Sequence, residues 1–364
     1  MKRTVVNLSL CLAFGLTAAP VHAEGQKLAF LVGVNKYAHP DLTALRYSEN
    51  DVTELAKVLE KGGYNVTLLS DRTGAKNPAL QPTRANINKQ LAQVLARAKS
   101  RDDTVLVAFA GHGLQFEGQS DAYFCPHDAK PFATQTTTLV SLSHVYKELD
   151  QSFAGVKMLL VDACRNDPKQ GRGVNGDHSP RAPRGVAVLF SCAAGEVAYE
   201  DAKFQHGVFF HYVLEGLRGK AKNGQGKVTF TSLTDYVSSA VSQAVPKVIG
   251  QGAQQSPNMK ADLHGMSPVI LTPAPVGDPA NRTAWTYARG TGTFAATNSP
   301  RQWVETTPHG AVYTFNETQR NASYIELHDA SRNISVRLYA NSCTIARPAS
   351  NGRFDPLYTG SWTR

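Results

Sequence analysis

Two stretches of sequence decide the fold of this chain: TVLVAFAGHG at residues 104–113 and KMLLVDACRND at residues 157–167. Each contains an apolar run typical of a strand that is buried on both faces of a sheet. The first run leads to His112, between two glycines, and the second leads to Cys164. Because parallel strands deliver their carboxyl ends to one edge of a sheet, the sequence predicts that the imidazole and the thiol lie close together.

This pair of side chains suits nucleophilic catalysis. A free thiol has a pKa near 8.5 and is only partly ionised at neutral pH, so a neighbouring imidazole is needed to generate the thiolate. His112 can then protonate the leaving amine. The backbone N–H groups of Gly113 and Cys164 are candidates for binding a developing oxyanion. Taken singly, a histidine or a cysteine after a strand is more often structural, but the two together favour a catalytic pair.

The region around the pair alternates strand-like and helical patterns. This alternation predicts an α/β domain with a mostly parallel sheet flanked by helices and a ligand site at the carboxyl ends of its strands. Besides the two strands above, strands are predicted at residues 27–34, 64–69 and 185–190, and helices at 48–62, 83–99, 209–217 and 231–245.

The composition changes towards the C-terminus. Residues 272–283 begin TPAPVGDPAN, which is typical of a proline-rich linker between domains. Residues 284–364 are rich in Thr, Tyr, Ser, Trp and Asn and contain short alternating runs, which predict a small β-rich domain whose aromatic residues serve core packing. We therefore predict one domain over residues 24–271 and a second over residues 284–364.

The first 23 residues have the pattern of a secretory signal peptide. Lys2 and Arg3 precede an apolar run at residues 5–19, and Val21-His22-Ala23 fits a cleavage site. Cleavage leaves 36 basic and 29 acidic residues, a net charge of +7. We expect the mature protein in the periplasm or outside the cell, and not in the membrane, because no other apolar run reaches about 18 residues.

The remaining charge and cysteine content exclude two further readings. The lysines and arginines are scattered and lack interleaved aromatic residues, so we expect no nucleic-acid partner. Four cysteines follow the signal peptide, an even number that allows disulfides in an exported protein. Because the domain is large enough to fold without disulfide bonds, we predict buried or functional thiols at Cys125, Cys164, Cys192 and Cys343.

The ordered set of motifs resembles the caspases and metacaspases of peptidase family C14. The caspase signature places Gln-Ala-Cys after a strand, with the catalytic histidine about 50 residues upstream. Here the sequence is Asp162-Ala163-Cys164-Arg165, and His112 precedes the cysteine by 52 residues. Bacterial metacaspases, or orthocaspases, are similar over further stretches, namely GVNKYAHPDLTALRYSENDV (33–52), LFSCAAGEVAYED (189–201) and HGVFFHYVLEGLRG (206–219). The resemblance implies a caspase-hemoglobinase-like fold and cysteine endopeptidase activity.

The resemblance also implies a substrate preference. Metacaspases carry Asp two residues before the nucleophile, which matches Asp162, and a second pocket acid that matches Asp51. Two carboxylates in a concave site attract a cation, so cleavage after Arg or Lys of peptides or proteins is expected. Ser191 lies in the stretch similar to a pocket-lining loop. On the residues alone, Asp51 equally suits the first turn of a helix, and His206 and His211 are assigned to structure.

No cofactor or metal is expected. Calcium-dependent metacaspases are rich in acidic residues between the catalytic histidine and the strands that follow it. Here that stretch contains only three, Glu117, Asp121 and Asp128. A calcium requirement is therefore not expected, although the sequence leaves it open.

The polar loop at residues 165–184 corresponds to the segment that caspases cleave on activation. It offers Lys169, Arg172, Arg181 and Arg184 to an enzyme with a basic preference, so self-processing is predicted there. Two alternatives stay open at this point: a catalytically silent protein that binds peptides or a surface, and a legumain- or gingipain-like peptidase.

Overall fold

The computed structural model describes residues 25–164, 180–193, 195–262, 267–272, 282–321 and 323–363. The predicted signal peptide, most of the 165–184 loop and most of the predicted linker lie outside the described residues. The chain divides into two compact units. One takes in the chain up to His211 together with Ser238–Met266, and the other takes in Tyr212–Val237 together with Ser267–Arg364. The domain boundaries drawn from the sequence stay predictions.

Strands and helices alternate through the first 271 residues. In chain order they are β1 (Lys27–Gly33), α1 (Ser48–Lys61), β2 (Asn65–Ser70), α2 (Asp71–Lys76), α3 (Arg84–Leu95), β3 (Thr104–Ala110), β4 (Gly113–Leu114), β5 (Tyr123–Phe124), β6 (Val140–Ser141), α4 (Leu142–Gln151), β7 (Val156–Asp162), β8 (Val186–Phe190), β9 (Glu200–Asp201), β10 (His206–Gly207), α5 (Val208–Glu215), β11 (Val228–Thr229), α6 (Phe230–Val248), β12 (Asn258–Ala261) and β13 (Val269–Leu271). None of the helices in the described ranges is both long enough and apolar enough to cross a membrane.

Six strands form the central sheet in the order β12-β8-β7-β3-β1-β2. The five strands other than β12 run parallel, and β12 pairs antiparallel with β8. Gly33 aligns with Ala110, and Ala110 aligns with Asp162, so these strands end at the same edge of the sheet. Every residue of β3 is buried, as the continuous apolar run predicted. The predicted mostly parallel sheet with flanking helices is confirmed.

The helices begin close to the positions that the sequence indicated. Helix α1 starts at Ser48, and Val52, Leu55 and Leu59 on its buried side are spaced three or four residues apart. Helix α3 starts after Thr83, whose hydroxyl accepts a hydrogen bond from the Asn86 amide at 3.3 Å. It ends four residues earlier than predicted because the chain tightens into i→i+3 hydrogen bonds after Leu95. Helix α4 was not predicted, although its buried residues have helical spacing.

The C-terminal residues form a closed antiparallel barrel of eight strands. Trp285 pairs with Trp362, which joins the first strand to the last. The core of the barrel is aromatic, and Trp285, Trp303 and Phe315 are almost completely buried. The predicted β-rich C-terminal domain is confirmed. The strands are β14 (Ala284–Tyr287), β15 (Gly292–Ala296), β16 (Gln302–Thr306), β17 (Val312–Arg320), β18 (Ile325–Asp329), β19 (Ile334–Leu338), β20 (Ser342–Ala346) and β21 (Asp355–Trp362).

Candidate active site

A cavity of about 170 Å³ lies at the edge of the sheet where β3 and β7 end. The Gly111 amide donates to the Asp162 carbonyl at 3.0 Å and so extends the pairing of the two strands beyond Ala110. Four of the predicted site residues share the walls of this cavity, which is lined by Leu45, Ser48, Asp51, Gly111, His112, Asp162, Cys164, Val197, Ala198, Tyr199, Glu200 and Gly207.

Residues of the loop after β1 make three contacts with His112. Its Nε2 lies 2.8 Å from the Thr43 carbonyl oxygen, and its backbone amide donates to the Tyr37 hydroxyl at 2.8 Å. The Tyr37 ring also packs against the imidazole with centroids 4.9 Å apart. Because a carbonyl only accepts, Nε2 carries a proton and Nδ1 is the basic nitrogen of the neutral ring. Burial lowers the pKa of His112, while the Thr43 carbonyl and Glu200 oppose that shift.

The thiol of Cys164 contacts the segment that precedes β9. The Ala198 amide donates to Sγ at 3.3 Å. Burial raises the pKa of Cys164, the Ala198 amide lowers it, and the Asp162 carboxylate raises it further. The raised pKa of the thiol and the lowered pKa of the imidazole in the same cavity favour general-base activation over a preformed thiolate–imidazolium pair.

Two buried carboxylates meet in the same cavity. Asp51 is 1% exposed and its oxygens accept from the Gly207 amide at 3.2 and 3.3 Å. Asp162 is 8% exposed. Burial raises the pKa of Asp162 to about 8, with a further contribution from the Asp51 carboxylate. Burial likewise raises the pKa of Asp51 well above its ordinary value, although the Gly207 amide opposes the shift.

Comparison with known families agrees with this geometry. The model of the caspase domain, Peptidase_C14, matches residues 26–266. The chain belongs to the caspase family. This family consists of cysteine peptidases, so residues 26–266 carry a cysteine peptidase domain of the caspase type.

Solved structures are similar to this caspase-family chain as well, with 256 matching chains. One is the crystal structure of caspase-1 from Spodoptera frugiperda, at 19% identity and a TM-score of 0.49, over 68% of this chain and 89% of the other. No curated protein matches the sequence.

Glu200 is a third carboxylate in the wall of the caspase-type cavity, and the sequence analysis did not single it out. It accepts from the amides of Arg46 and Tyr47 at 3.0 and 2.9 Å, at the start of α1. Its charge contributes to the raised pKa values of Asp51 and Asp162. Its stretch of sequence resembled the family, but no spacing rule marked this residue. Within the described ranges, neither Asp51 nor Asp162 forms an ion pair with a lysine or arginine.

Gly113 lies close to Cys164, and its lack of a side chain allows this approach. A Cβ at this position would collide with the Cys164 carbonyl oxygen and lie 2.8 Å from the Ala163 Cβ. The Cys125 amide donates to the His112 carbonyl at 2.9 Å, so the next pair, Gly113 with Phe124, is of the non-hydrogen-bonded kind. The Gly113 N–H therefore points away from β5, as an oxyanion donor requires.

Ser191 is not among the residues that line the cavity. Its side chain is fully buried. It lowers the pKa of Asp162, yet its hydroxyl forms no hydrogen bond of regular geometry in the described part of the chain. The predicted contact of Ser191 with substrate stays a prediction.

The remaining thiols and acids form no further reactive centre in the described ranges. Cys125, Cys192 and Cys343 are buried, Cys164 is half-buried, and none of the four is in a disulfide within the described ranges. Burial raises the pKa of both Cys125 and Cys343. The described residues contain no group of three or more His, Cys, Asp or Glu side chains that could hold a metal ion.

Proposed function

We propose that this protein is an active cysteine endopeptidase that cleaves peptide bonds after Arg or Lys, with His112 and Cys164 as its catalytic pair. One observation carries the proposal: a thiol, an imidazole and three carboxylates share a single cavity. A guanidinium or ammonium group favours the ionised form of these carboxyl groups and is bound by them, whereas an acidic side chain is repelled. The substrate class is thus a peptide or protein with exposed basic residues.

The first half of the reaction forms a thioester. The Cys164 thiol gives its proton to Nδ1 of His112, and Sγ attacks the carbonyl carbon of the scissile bond. The resulting oxyanion is stabilised by the N–H groups of Gly113 and Cys164. When the C–N bond breaks, His112 returns the proton to the leaving amine.

The second half releases the acid product. His112 takes a proton from a water molecule, the water oxygen attacks the thioester carbon, and the Cys164 thiolate leaves and regains the proton. Each step uses side chains and amides of this chain, so we propose that the reaction requires no metal or cofactor. We further propose that the protein works in the periplasm or outside the cell, on the basis of residues 1–23.

The proposal is tested with the mature protein and fluorogenic peptides that end in Arg, Lys, Asp or Asn. We expect turnover of the Arg and Lys peptides, unchanged by EDTA. Cys164→Ala and His112→Ala should each lower kcat by at least about 1,000-fold. Cys343→Ala, a buried cysteine in the barrel, is the matched control and should keep its activity.

The same samples test self-processing in the 165–184 loop. Wild-type protein should be cut there over time on a gel, after Lys169, Arg172, Arg181 or Arg184, while purified Cys164→Ala stays intact. Turnover of no peptide would favour a silent binding protein, and a preference for Asp would contradict the role of the pocket acids. Spontaneous cutting of Cys164→Ala would refute self-processing.

A further inference from the structure

His206 makes a short contact with one of the pocket acids. Its Nδ1 lies 2.6 Å from Oδ1 of Asp51, and the two side chains are 12% and 1% exposed. The sequence pattern predicted a purely structural histidine here and did not foresee this contact.

We propose that His206 is the positioning residue of the acidic pocket, because its imidazole holds Asp51 in the orientation that binds the cation of a basic substrate. The inference rests on the proposed function and names the residue that tunes specificity at the same site. It separates the role of His206 from that of His112, which acts on the reacting atoms.

A short hairpin brings the imidazole to the carboxylate. Strands β9 and β10 pair antiparallel, with Gly207 opposite Glu200. The side-chain amide of Asn50 donates to the Gln205 carbonyl at 2.7 Å. The Gly207 amide donates to Asp51. The hairpin is therefore bound to the first turn of α1 on both sides of His206, which gives the imidazole little freedom to leave Asp51.

The contact occupies one oxygen of Asp51 and leaves the other to the rest of the pocket. Oδ1 is occupied by His206. A Cβ on Gly207 would lie 2.6 Å from Oδ2 of Asp162 and 3.2 Å from Oδ2 of Asp51, so both Oδ2 atoms converge on the same side of Gly207. Two converging carboxylate oxygens match the parallel N–H groups of a guanidinium, whereas an ammonium group is a point charge that tolerates other arrangements. Fixing Oδ1 should thus favour Arg over Lys.

His206 also gives Asp51 a second hydrogen-bond donor besides the Gly207 amide. A buried carboxylate without a donor is costly, and it takes up a proton instead. A charge-assisted hydrogen bond from Nδ1–H stabilises the ionised form, which is the form that attracts a cation. Without the imidazole, the Gly207 amide would be the donor that remains on Asp51, and the carboxylate would be held on one side only.

The test compares His206→Ala with His206→Asn, whose side-chain amide can donate from near the position of Nδ1. For the Arg peptide, His206→Ala should raise KM about tenfold and change kcat less than twofold. The KM for the Lys peptide should rise less, so the Arg-to-Lys ratio of kcat/KM falls. His206→Asn should restore most of both values. His211→Asn is the matched control, because its ring stacks on Phe204 and lies 6.5 Å from the His206 ring.

Two results would overturn the inference. One is an unchanged Arg-to-Lys ratio in His206→Ala. The other is an equal loss of kcat for both peptides together with a lower Tm, which would mean a merely structural role.

A binding measurement keeps this test separate from the test of catalysis. Fluorescence polarisation of a labelled Arg peptide compares Cys164→Ala with the Cys164→Ala/His206→Ala double variant. Weaker binding by the double variant supports the role of His206 even where the wild type turns over no peptide, in which case only the proposed function fails. Equal binding by the two proteins overturns the role of His206.

Discussion

Buried carboxylates occur in the cavity of the caspase-type unit and in the C-terminal barrel, and two of those in the barrel, Asp329 and Glu317, have arginine partners. In the barrel, Oδ2 of Asp329 lies 2.6 Å from Nε of Arg332, and the Ser331 hydroxyl donates to Oδ1 at 2.6 Å. Glu317 is likewise paired with Arg320, three residues along the chain. In the cavity, Asp51 and Asp162 face each other, and no lysine or arginine of the described ranges is paired with either.

The pKa values follow these surroundings in opposite directions. Burial alone would raise the pKa of Asp329, but the hydrogen bonds from Ser331 and Arg332 outweigh it and lower the pKa to about 2. Burial and the neighbouring Asp51 raise the pKa of Asp162 to about 8. A buried acid that is paired with an arginine leaves an uncompensated charge when either partner is removed, and that loss destabilises the fold. Buried acids that meet only each other at a cavity are costly to the fold and mark a place for a cation from outside.

Exchanging one carboxylate for an amide in each region gives the largest contrast. Asp162→Asn should lower kcat/KM for Arg peptides about 100-fold, because one charge that faces the substrate cation is lost. Its free energy of unfolding should not fall, since the buried charge had no cation partner. Asp329→Asn should keep full activity but lose about 2 kcal/mol of stability, because Arg332 loses its partner.

Peptide kinetics and chemical denaturation of both variants check this expectation. If Asp162→Asn lost stability and Asp329→Asn lost activity, the assignment of the two regions would be reversed.

Adding a methyl group tests the shape of the cavity and not its charge. In Gly207→Ala the new Cβ would crowd the Oδ2 atoms of both pocket acids, at 2.6 and 3.2 Å. Displacing these oxygens should lower kcat/KM for Arg peptides by between about 10-fold and 100-fold. Gly310→Ala in the barrel is the matched control: its Cβ would meet no atom within 4 Å, and its φ of +82° costs only about 1 kcal/mol of strain. Full activity of Gly207→Ala in the same assay would show that substrate does not approach these carboxylates.

Changing pH should give a smaller effect with opposite signs in the two regions. Asp162 is protonated below about pH 8 in the empty cavity, so binding of an Arg peptide should strengthen about tenfold between pH 6 and pH 8. The raised pKa means that Asp162 contributes stability at low pH that is lost as pH rises towards 8. The lowered pKa of Asp329 means that its contribution is present above about pH 4 and is lost as pH falls towards 2.

Denaturation between pH 2 and pH 8, with Asp162→Asn and Asp329→Asn beside the wild type, separates the two slopes. Peptide binding by Cys164→Ala gives the pH dependence of affinity without catalysis. A flat affinity from pH 6 to pH 8 would contradict the part assigned to Asp162.

The sequence predicted the parts of this site that lie at strand ends. His112, Asp162 and Cys164 follow long apolar runs, and the rule that parallel strands end together was enough to place them at one edge. Asp51 was placed in the site by family resemblance alone, because on the residues alone it equally suited the first turn of a helix. Tyr37, Glu200 and His206 were missed as site residues because they lie in loops or two-residue strands, where no periodicity marks a side chain.

The sequence by itself therefore determined the parallel sheet, the β-rich C-terminal region and the strand ends that carry the imidazole and the thiol. These features depend on local apolar periodicity, which every segment carries in its own residues. Only the tertiary structure decided that His206 contacts Asp51, 155 positions away in the chain, and that Glu200 accepts from the amides of Arg46 and Tyr47. Such contacts depend on how a hairpin lies against a helix, and no local pattern encodes that distance.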